Sequence, residues 1–464
     1  MPSEEGKGLS LKECIAFAAR NSFEVKLARL DFLIKETDQG VAEAIFDTIL
    51  SADISYEEDK REQNSALSPD QSQENIYSIE AEKKLPAGTE ITLSFEDTRK
   101  WSNSQYVSRN PAHTAEAFLQ LRQPVARNIF GYVDRRSISV TGLAIENAGL
   151  DTKERIEVLF AGIEKAYWEW AFTKKALQIY GQSLEKAKDL HRTNARNYDT
   201  GLIERGDFLA SEANVLLREK DVLIAENKYR HAEEYIKLLM NVESARRLHP
   251  AQALQYERKE LDLADCLSRA LRNRRDYLKA RRELEIKNIV LESKANERWP
   301  EIDLVASMRA NGIDSKFSKA AEKLTDEDYR DYYAGVEISI PLENSAARSE
   351  FKKAKANKEK AILTVKKLER VIVTEIGGVF LDCLTYDANV GKLRAAYRLQ
   401  KEKLEEEEKS FKYGRSNTKR LIDYQQDYLN AQLQLASGLL ELEVARTNLR
   451  KGLNIILQKY AGVL

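Results

Sequence analysis

The chain is written twice. Leu9-Ser10-Leu11-Lys12-Glu13-Cys14 returns as Leu261-Asp262-Leu263-Ala264-Asp265-Cys266. The same offset joins Ala18 to Ala270, Arg20-Asn21 to Arg272-Asn273, Ala28-Arg29 to Ala280-Arg281 and Ile34-Lys35 to Ile286-Lys287. Each copy reads helix, strands, long helix, glycine tip, helix. Such a repeat lays one supersecondary block beside its twin. It divides the chain into a first repeat, 1–250, and a second, 251–464.

The long helices fix the scale. Residues 346–411 contain no proline, and Val365, Leu368, Ile372, Ile376, Val379, Cys383, Tyr386, Val390, Leu393, Tyr397, Leu404 and Phe411 fall at spacings of mostly three and four. That is close to a heptad. Copy one matches it with Ile156, Leu159, Ile163, Ala166, Trp170, Leu177, Tyr180 and Leu184. A helix of about 65 residues is roughly 100 Å long, beyond what a globular domain needs. Shorter helices are expected over about 9–45, 202–245, 261–298 and 418–460, packed lengthwise on the long ones. Composition agrees: 32% of the 464 residues are charged, against only 8 prolines. A formal net charge of −1 leaves no basic field for nucleic acid.

Each tip has an aromatic, then glycine, then a polar helix start: Tyr198-Asp199-Thr200-Gly201 before Gly206-Asp207-Phe208, and Phe411-Lys412-Tyr413-Gly414 before Thr418 and Leu421-Ile422-Asp423. A C-cap followed by an N-cap makes an αα-hairpin. Asp199, Glu204 and Asp207 gather where a helix N-terminus attracts acids. The run Glu405-Glu406-Glu407-Glu408 reads as a solvated helix face, with Lys401, Lys403, Lys409 and Lys412 close enough to neutralise it.

Between the helices the period changes to two. Ala52, Ile54 and Tyr56 share a face, as do Ile91, Leu93 and Phe95, with Thr92 and Ser94 opposite. Residues 115–122, 302–309 and 336–340 behave alike. Alternating segments of about ten residues fit transmembrane barrel strands, and equally a half-buried soluble sheet. No run approaches ~18 apolar residues, so no transmembrane helix is expected, which says nothing against a barrel. The opening Met1-Pro2-Ser3-Glu4-Glu5-Gly6 is polar and acidic. It reads as no secretory signal, which an exported protein requires.

No catalytic constellation emerges. Nucleophile elbow, phosphate loop and metal spacing are all missing. His113, His191, His231 and His249 are scattered. Cys14 and Cys266 sit at matched places on apolar stripes and Cys383 lies within a helix, which suits buried thiols. No enzyme and no cofactor are expected.

The order of motifs carries a resemblance. Gly335-Val336-Glu337-Ile338-Ser339-Ile340-Pro341-Leu342 before a very long helix resembles the outer-membrane efflux protein family, the TolC-like exit ducts. Leu119-Gln120-Leu121-Arg122-Gln123-Pro124-Val125 is similar, as is each Leu-x-Leu-x-x-Cys opening. Gly414 followed by Leu421-Ile422-Asp423 and Leu429-Asn430-Ala431-Gln432 resembles that family's second hairpin. The similarity covers roughly 9–460.

The resemblance implies a mainly α fold with β: a long helical coiled-coil barrel and a transmembrane β-barrel completed by trimerisation. It implies a homotrimer in outer-membrane lipid with a large periplasmic helical portion. It further implies partnership with a periplasmic adaptor and an inner-membrane transporter, exporting small molecules or polypeptides. Its aperture would fall at Phe411, Gly414, Ser416, Arg420 and Asp423, its first hairpin tip at Tyr198, Gly201 and Asp207, and its strand-to-helix turns at Pro124 and Pro341. Two departures stand out. Copy one carries an extra hairpin, 77–85 and 89–97, around Leu85-Pro86-Ala87-Gly88, which would either widen the barrel or project from it. Where the best-known family member has two Asp three residues apart beyond the second tip, this chain has Arg420 and Asp423. The rival reading is a soluble coiled-coil scaffold without enzymatic activity, in which the strand segments would be dispensable.

Overall fold

The computed structural model describes residues 7–62, 68–243, 247–258 and 260–462. The polar stretch Met1 to Gly6 lies outside them. In chain order the elements are β1 (Lys7–Leu9), α1 (Leu11–Asn21), α2 (Phe23–Glu36), α3 (Asp38–Glu43), β2 (Thr48–Asp59), β3 (Ser72–Lys84), β4 (Glu90–Ser102), β5 (Ala112–Pro124), α4 (Tyr132–Asp199), α5 (Arg205–Met240), β6 (Leu248–Pro250), α6 (Leu263–Asn273), α7 (Arg275–Asn296), β7 (Glu301–Asp314), α8 (Phe317–Glu322), β8 (Arg330–Ser339), α9 (Ser345–Lys412), α10 (Thr418–Gly452) and α11 (Ile456–Lys459). The chain is mainly helical, and α4 and α9 have 68 residues each.

Two compact units share the chain. One holds Met1–Leu33, Ala148–Lys279 and Val365–Leu464, the other Ile34–Asn147 and Ala280–Thr364. Each draws on both copies of the repeat.

The first unit is helical around four apolar clusters, two of them large. Cys14, Ile15, Phe160, Ile163, Tyr167 and Trp170 belong to one of the large ones, and Cys266, Ala270, Ile372, Ile376 and Cys383 to the other. The matched cysteines are buried, as their apolar stripes require. Burial pushes the Cys14 thiol up to about 12 and Cys383 to about 11, so neither is a nucleophile at neutral pH. A short parallel pair, β1 with β6, was not legible in the pattern; the Tyr167 hydroxyl donates to the Leu9 carbonyl at 3.0 Å beside it.

The single helices expected over 9–45 and 261–298 are each broken. Extended backbone at Ser22 (ψ 134°) and Arg274 (ψ 119°) ends α1 and α6 just after the duplicated Arg-Asn pair. The partner helices also stop earlier than expected, at Met240 and Gly452, because Asn241 and Asn454 turn left-handed at φ 54° and 51°. Those asparagines serve the breaks. Asn241 Nδ2 donates to the Asn21 carbonyl at 3.2 Å, and Asn454 Oδ1 accepts from the Arg275 amide at 3.0 Å. Each copy thus sets an asparagine beyond its later helix against the break in its first, with a different hydrogen bond in each.

The second unit is built on one six-stranded sheet in the order β2-β3-β4-β5-β7-β8, antiparallel throughout. The first copy supplies four strands and the second two. The extra hairpin lies inside the sheet, between β2 and β5, rather than beside it.

Candidate functional site

The sheet separates its residues by polarity. Cross-strand partners share a face. One row reads Leu50, Ala81, Leu93, Leu119, Met308, Tyr332, and the next Ala52, Ile79, Phe95, Ala117, Ala310, Arg330. Intervening rows on the other face read Ser51, Glu80, Ser94, Phe118, Arg309, Asp331 and Asp53, Ser78, Glu96, Glu116, Asn311. The apolar face is open, with Leu50 68% and Ile54 77% exposed. The polar face holds its own ion pairs: Arg122 reaches Asp303 at 2.8 Å and Glu337 at 2.7 Å, and Arg309 meets Glu116 at 3.3 Å. Such a sheet is at home with hydrocarbon on one side and water on the other.

Both outer strands, β2 and β8, have one edge without a strand partner among the described residues. At the far end of the apolar face α8 packs on β5 and β7. Phe317 there meets Phe95 and His113 edge-on, each at 6.3 Å, above a buried Asp97–His113 contact of 2.8 Å.

Two strand-to-helix connections carry a proline. Pro124 is the last residue of β5 and Pro341 follows β8. Each connection then uses a left-handed asparagine, Asn128 at φ 55° and Asn344 at φ 46°. Asn128 Oδ1 accepts from the Val133 amide at 2.8 Å, which caps the start of α4.

Both tips are αα-hairpin turns with glycine at positive φ, 72° for Gly201 and 70° for Gly414. Amides beyond each glycine close on the helix: Leu202 to the Asn197 carbonyl at 2.7 Å, Arg415 to Ser410 at 2.9 Å. In the second tip the helix start is capped one residue before Thr418, by Asn417 Oδ1 accepting from the Arg420 amide at 2.9 Å. Tyr198 stacks on Phe208 at 5.3 Å in the first tip, and Asp207 lies in the first turn of α5.

The tips touch one another. Buried Asn194 of α4 donates to the buried Thr418 hydroxyl at 3.1 Å. Leu190, Leu404 and Leu421 pack together there, with Phe411 against them.

The residues expected at an aperture are brought together only in part. Arg420 Nε lies 3.2 Å from Glu407 Oε2 within its own chain, and Ser416 Oγ donates to the other Glu407 oxygen. Asp423 is exposed, with no ion pair among the described residues. Glu407 is the residue that the sequence reading missed, because it stands inside an acidic run. Glu405, Glu406 and Glu408 are solvated and paired with Lys401, Lys409 and Lys186. Glu407 is instead only 4% exposed. The 3.6-residue period that turns its neighbours outward turns Glu407 toward the 416–420 turn. Among the described residues no three His, Cys, Asp or Glu side chains gather as a metal site.

Comparison with known proteins places this geometry. Residues 266–454 match the family profile described as "Outer membrane efflux protein". No curated protein matches the chain. Among solved structures, the outer-membrane channel OprN superposes with a TM-score of 0.72 at 16% identity, over 96% of this chain and 89% of that one. The outer membrane protein VceC from Vibrio cholerae gives 0.69 at 14%, over 96% of each. The open state of the Neisseria gonorrhoeae MtrE outer membrane channel gives 0.69 at 16%, over 96% and 88%. The resemblance read from the motifs therefore holds: the second repeat carries the efflux-protein profile, and nearly the whole chain has the fold of these channels.

Proposed function

We propose that three copies of this chain form an outer-membrane efflux duct, with one shared β-barrel in the membrane and the long helices as a periplasmic tunnel. The observation that carries this reading is the six-stranded sheet, apolar on one face, carboxylate-rich on the other, and without a strand partner at either edge among the described residues. In lipid an open edge leaves backbone groups without partners, so the sheet requires closure. Because β2 and β8 run antiparallel, the β8 edge of one copy can accept the β2 edge of the next, and cyclic symmetry closes the ring.

The helical unit supports the same reading. Leu209, Leu216 and Leu223 repeat every seven residues along α5, after Leu202 in the tip, and all four are exposed. That is an unpartnered coiled-coil seam, suited to a neighbouring copy. The duct is passive, and transport is driven by an inner-membrane transporter joined to it through a periplasmic adaptor. Its aperture is the second hairpin, with Phe411, Gly414, Ser416, Arg420 and Asp423 around it. The first tip, with Tyr198, Gly201 and Asp207, stands beside it. Glu407 holds Arg420 to its own hairpin, which leaves Asp423 to face the neighbouring copy.

Mass measurement in mild detergent, followed by insertion into planar bilayers, tests the reading. A trimer that conducts supports it. A conducting particle of another stoichiometry would refute the trimer, and a non-conducting monomer the duct.

A further inference from the structure

We propose that the hairpin β3–β4 is a wall segment of the barrel, so that three copies, each with six strands, close a sheet of 18. This rests on the function proposed above and adds the calibre of the outer mouth. Three observations carry it. First, the hairpin is hydrogen-bonded on both sides, to β2 along 72–83 and to β5 along 90–100, so it cannot project from the sheet without breaking both ladders. Second, both strands keep the polarity of the wall. Ile79 and Phe95 lie on the apolar face beside Ala52 and Ala117, while Glu80 and Glu96 lie on the other. A hairpin standing in water has no reason to keep that register.

Third, the turn is fastened to the strand-to-helix corner. Gly88 and Gly131, at φ 77° and 68°, approach so closely that a Cβ on Gly88 would lie 2.5 Å from the Gly131 amide. Arg135 Nη1 donates to the Pro86 carbonyl at 2.7 Å, and Lys84 pairs with Asp134 at 3.0 Å. The corner is shaped to receive this turn.

A two-strand insertion also preserves sheet sense. With the hairpin removed, β2 is still antiparallel to β5 and can take the place of β4. The Leu50, Leu93 and Leu119 row then survives as Leu50 beside Leu119. Barrel diameter grows roughly linearly with strand number, so the hairpin widens the mouth about 1.5-fold over a 12-strand version. A mouth of that width lets bulky hydrophilic cargo leave and moves size selection to the helical tips.

Cryo-electron microscopy of the full chain in lipid nanodiscs, and of a variant lacking residues 72–102, tests this. The expected result is 18 strands in the full chain, 12 in the variant, and a trimer in both. A closed trimeric barrel of 12 strands in the full chain, with the hairpin outside the wall, would overturn the inference and leave the duct intact. A chain that forms no closed trimeric barrel would overturn both. If the variant fails to assemble, the count in the full chain still decides.

Discussion

Glu407 is the residue on which the second hairpin turns. It is buried, accepts from Ser416 and forms an ion pair with Arg420, and so ties the end of α9 to the first turn of α10. Removing its charge releases Arg420 and frees the hairpin end. Glu407→Gln is therefore expected to raise single-channel conductance in planar bilayers more than Asp423→Ala does; equal effects, or none, would place the constriction elsewhere. Gly131 is a second pivot. It combines φ 68° with a Cβ position 2.5 Å from the Pro86 carbonyl, so Gly131→Ala adds strain and a clash. A loss of about 1–3 kcal/mol follows from the backbone term alone. It should appear as a lower temperature of oligomer dissociation on heated gels.

Glu164 ties α4 to the chain's end, accepting from Arg450 at 2.8 Å, Lys459 at 2.7 Å and the Tyr460 hydroxyl at 2.6 Å. Burial alone would raise its carboxyl, but Arg450 and Lys459 outweigh that and hold it down to about 2. Its folded value lies below the unfolded one, so the ionised group stabilises fully above about pH 4.5. That contribution is lost as pH falls toward 2. Urea midpoints should fall over that window in the native chain, and Glu164→Gln should flatten the dependence. None of these three roles was legible in the sequence. Each depends on a contact between separate elements, and no local pattern records such a meeting.

At the scale of elements, what repeated at a fixed period was legible. The 3.6-period runs gave α4 and α9, the glycine tips gave both hairpins, and the period-two runs gave β2, β4, β5, β7 and β8. Strand ends ran longer than the apolar pattern, because polar residues such as Glu57 and Arg99 continue the ladders beyond the alternating stretch. The joints were not legible. Ser22 and Arg274 break helices that propensity would have continued, since the reason lies in Asn241 and Asn454. Nor was α8, whose six residues are too few to show a period. The Leu209, Leu216 and Leu223 seam became visible only once exposure showed that nothing among the described residues covers it. Replacing Leu216 and Leu223 together with Glu should shift the detergent particle from trimer toward monomer while leaving circular dichroism helical. A trimer of unchanged stability would mean that the seam faces water.

For the molecule as a whole, the duplication set the architecture and the asymmetry set what is particular to it. Both copies break the first helix against an asparagine and turn each tip on a glycine at positive φ. Only the first inserts β3–β4, which is why it supplies four strands of the six-stranded sheet and the second two. That the insertion joins the sheet could not be read from alternation, since a projecting hairpin and a wall segment have the same period. The register decides it, and register is a property of strands brought together. The central claim is that one chain's sheet is an incomplete wall. The most direct measurement is the native mass of the protein extracted from membranes in mild detergent, with limited proteolysis of the strand segments. The account requires three chains per particle and strands resistant to protease. A monomer whose residues 48–124 and 301–339 are readily cleaved would contradict it.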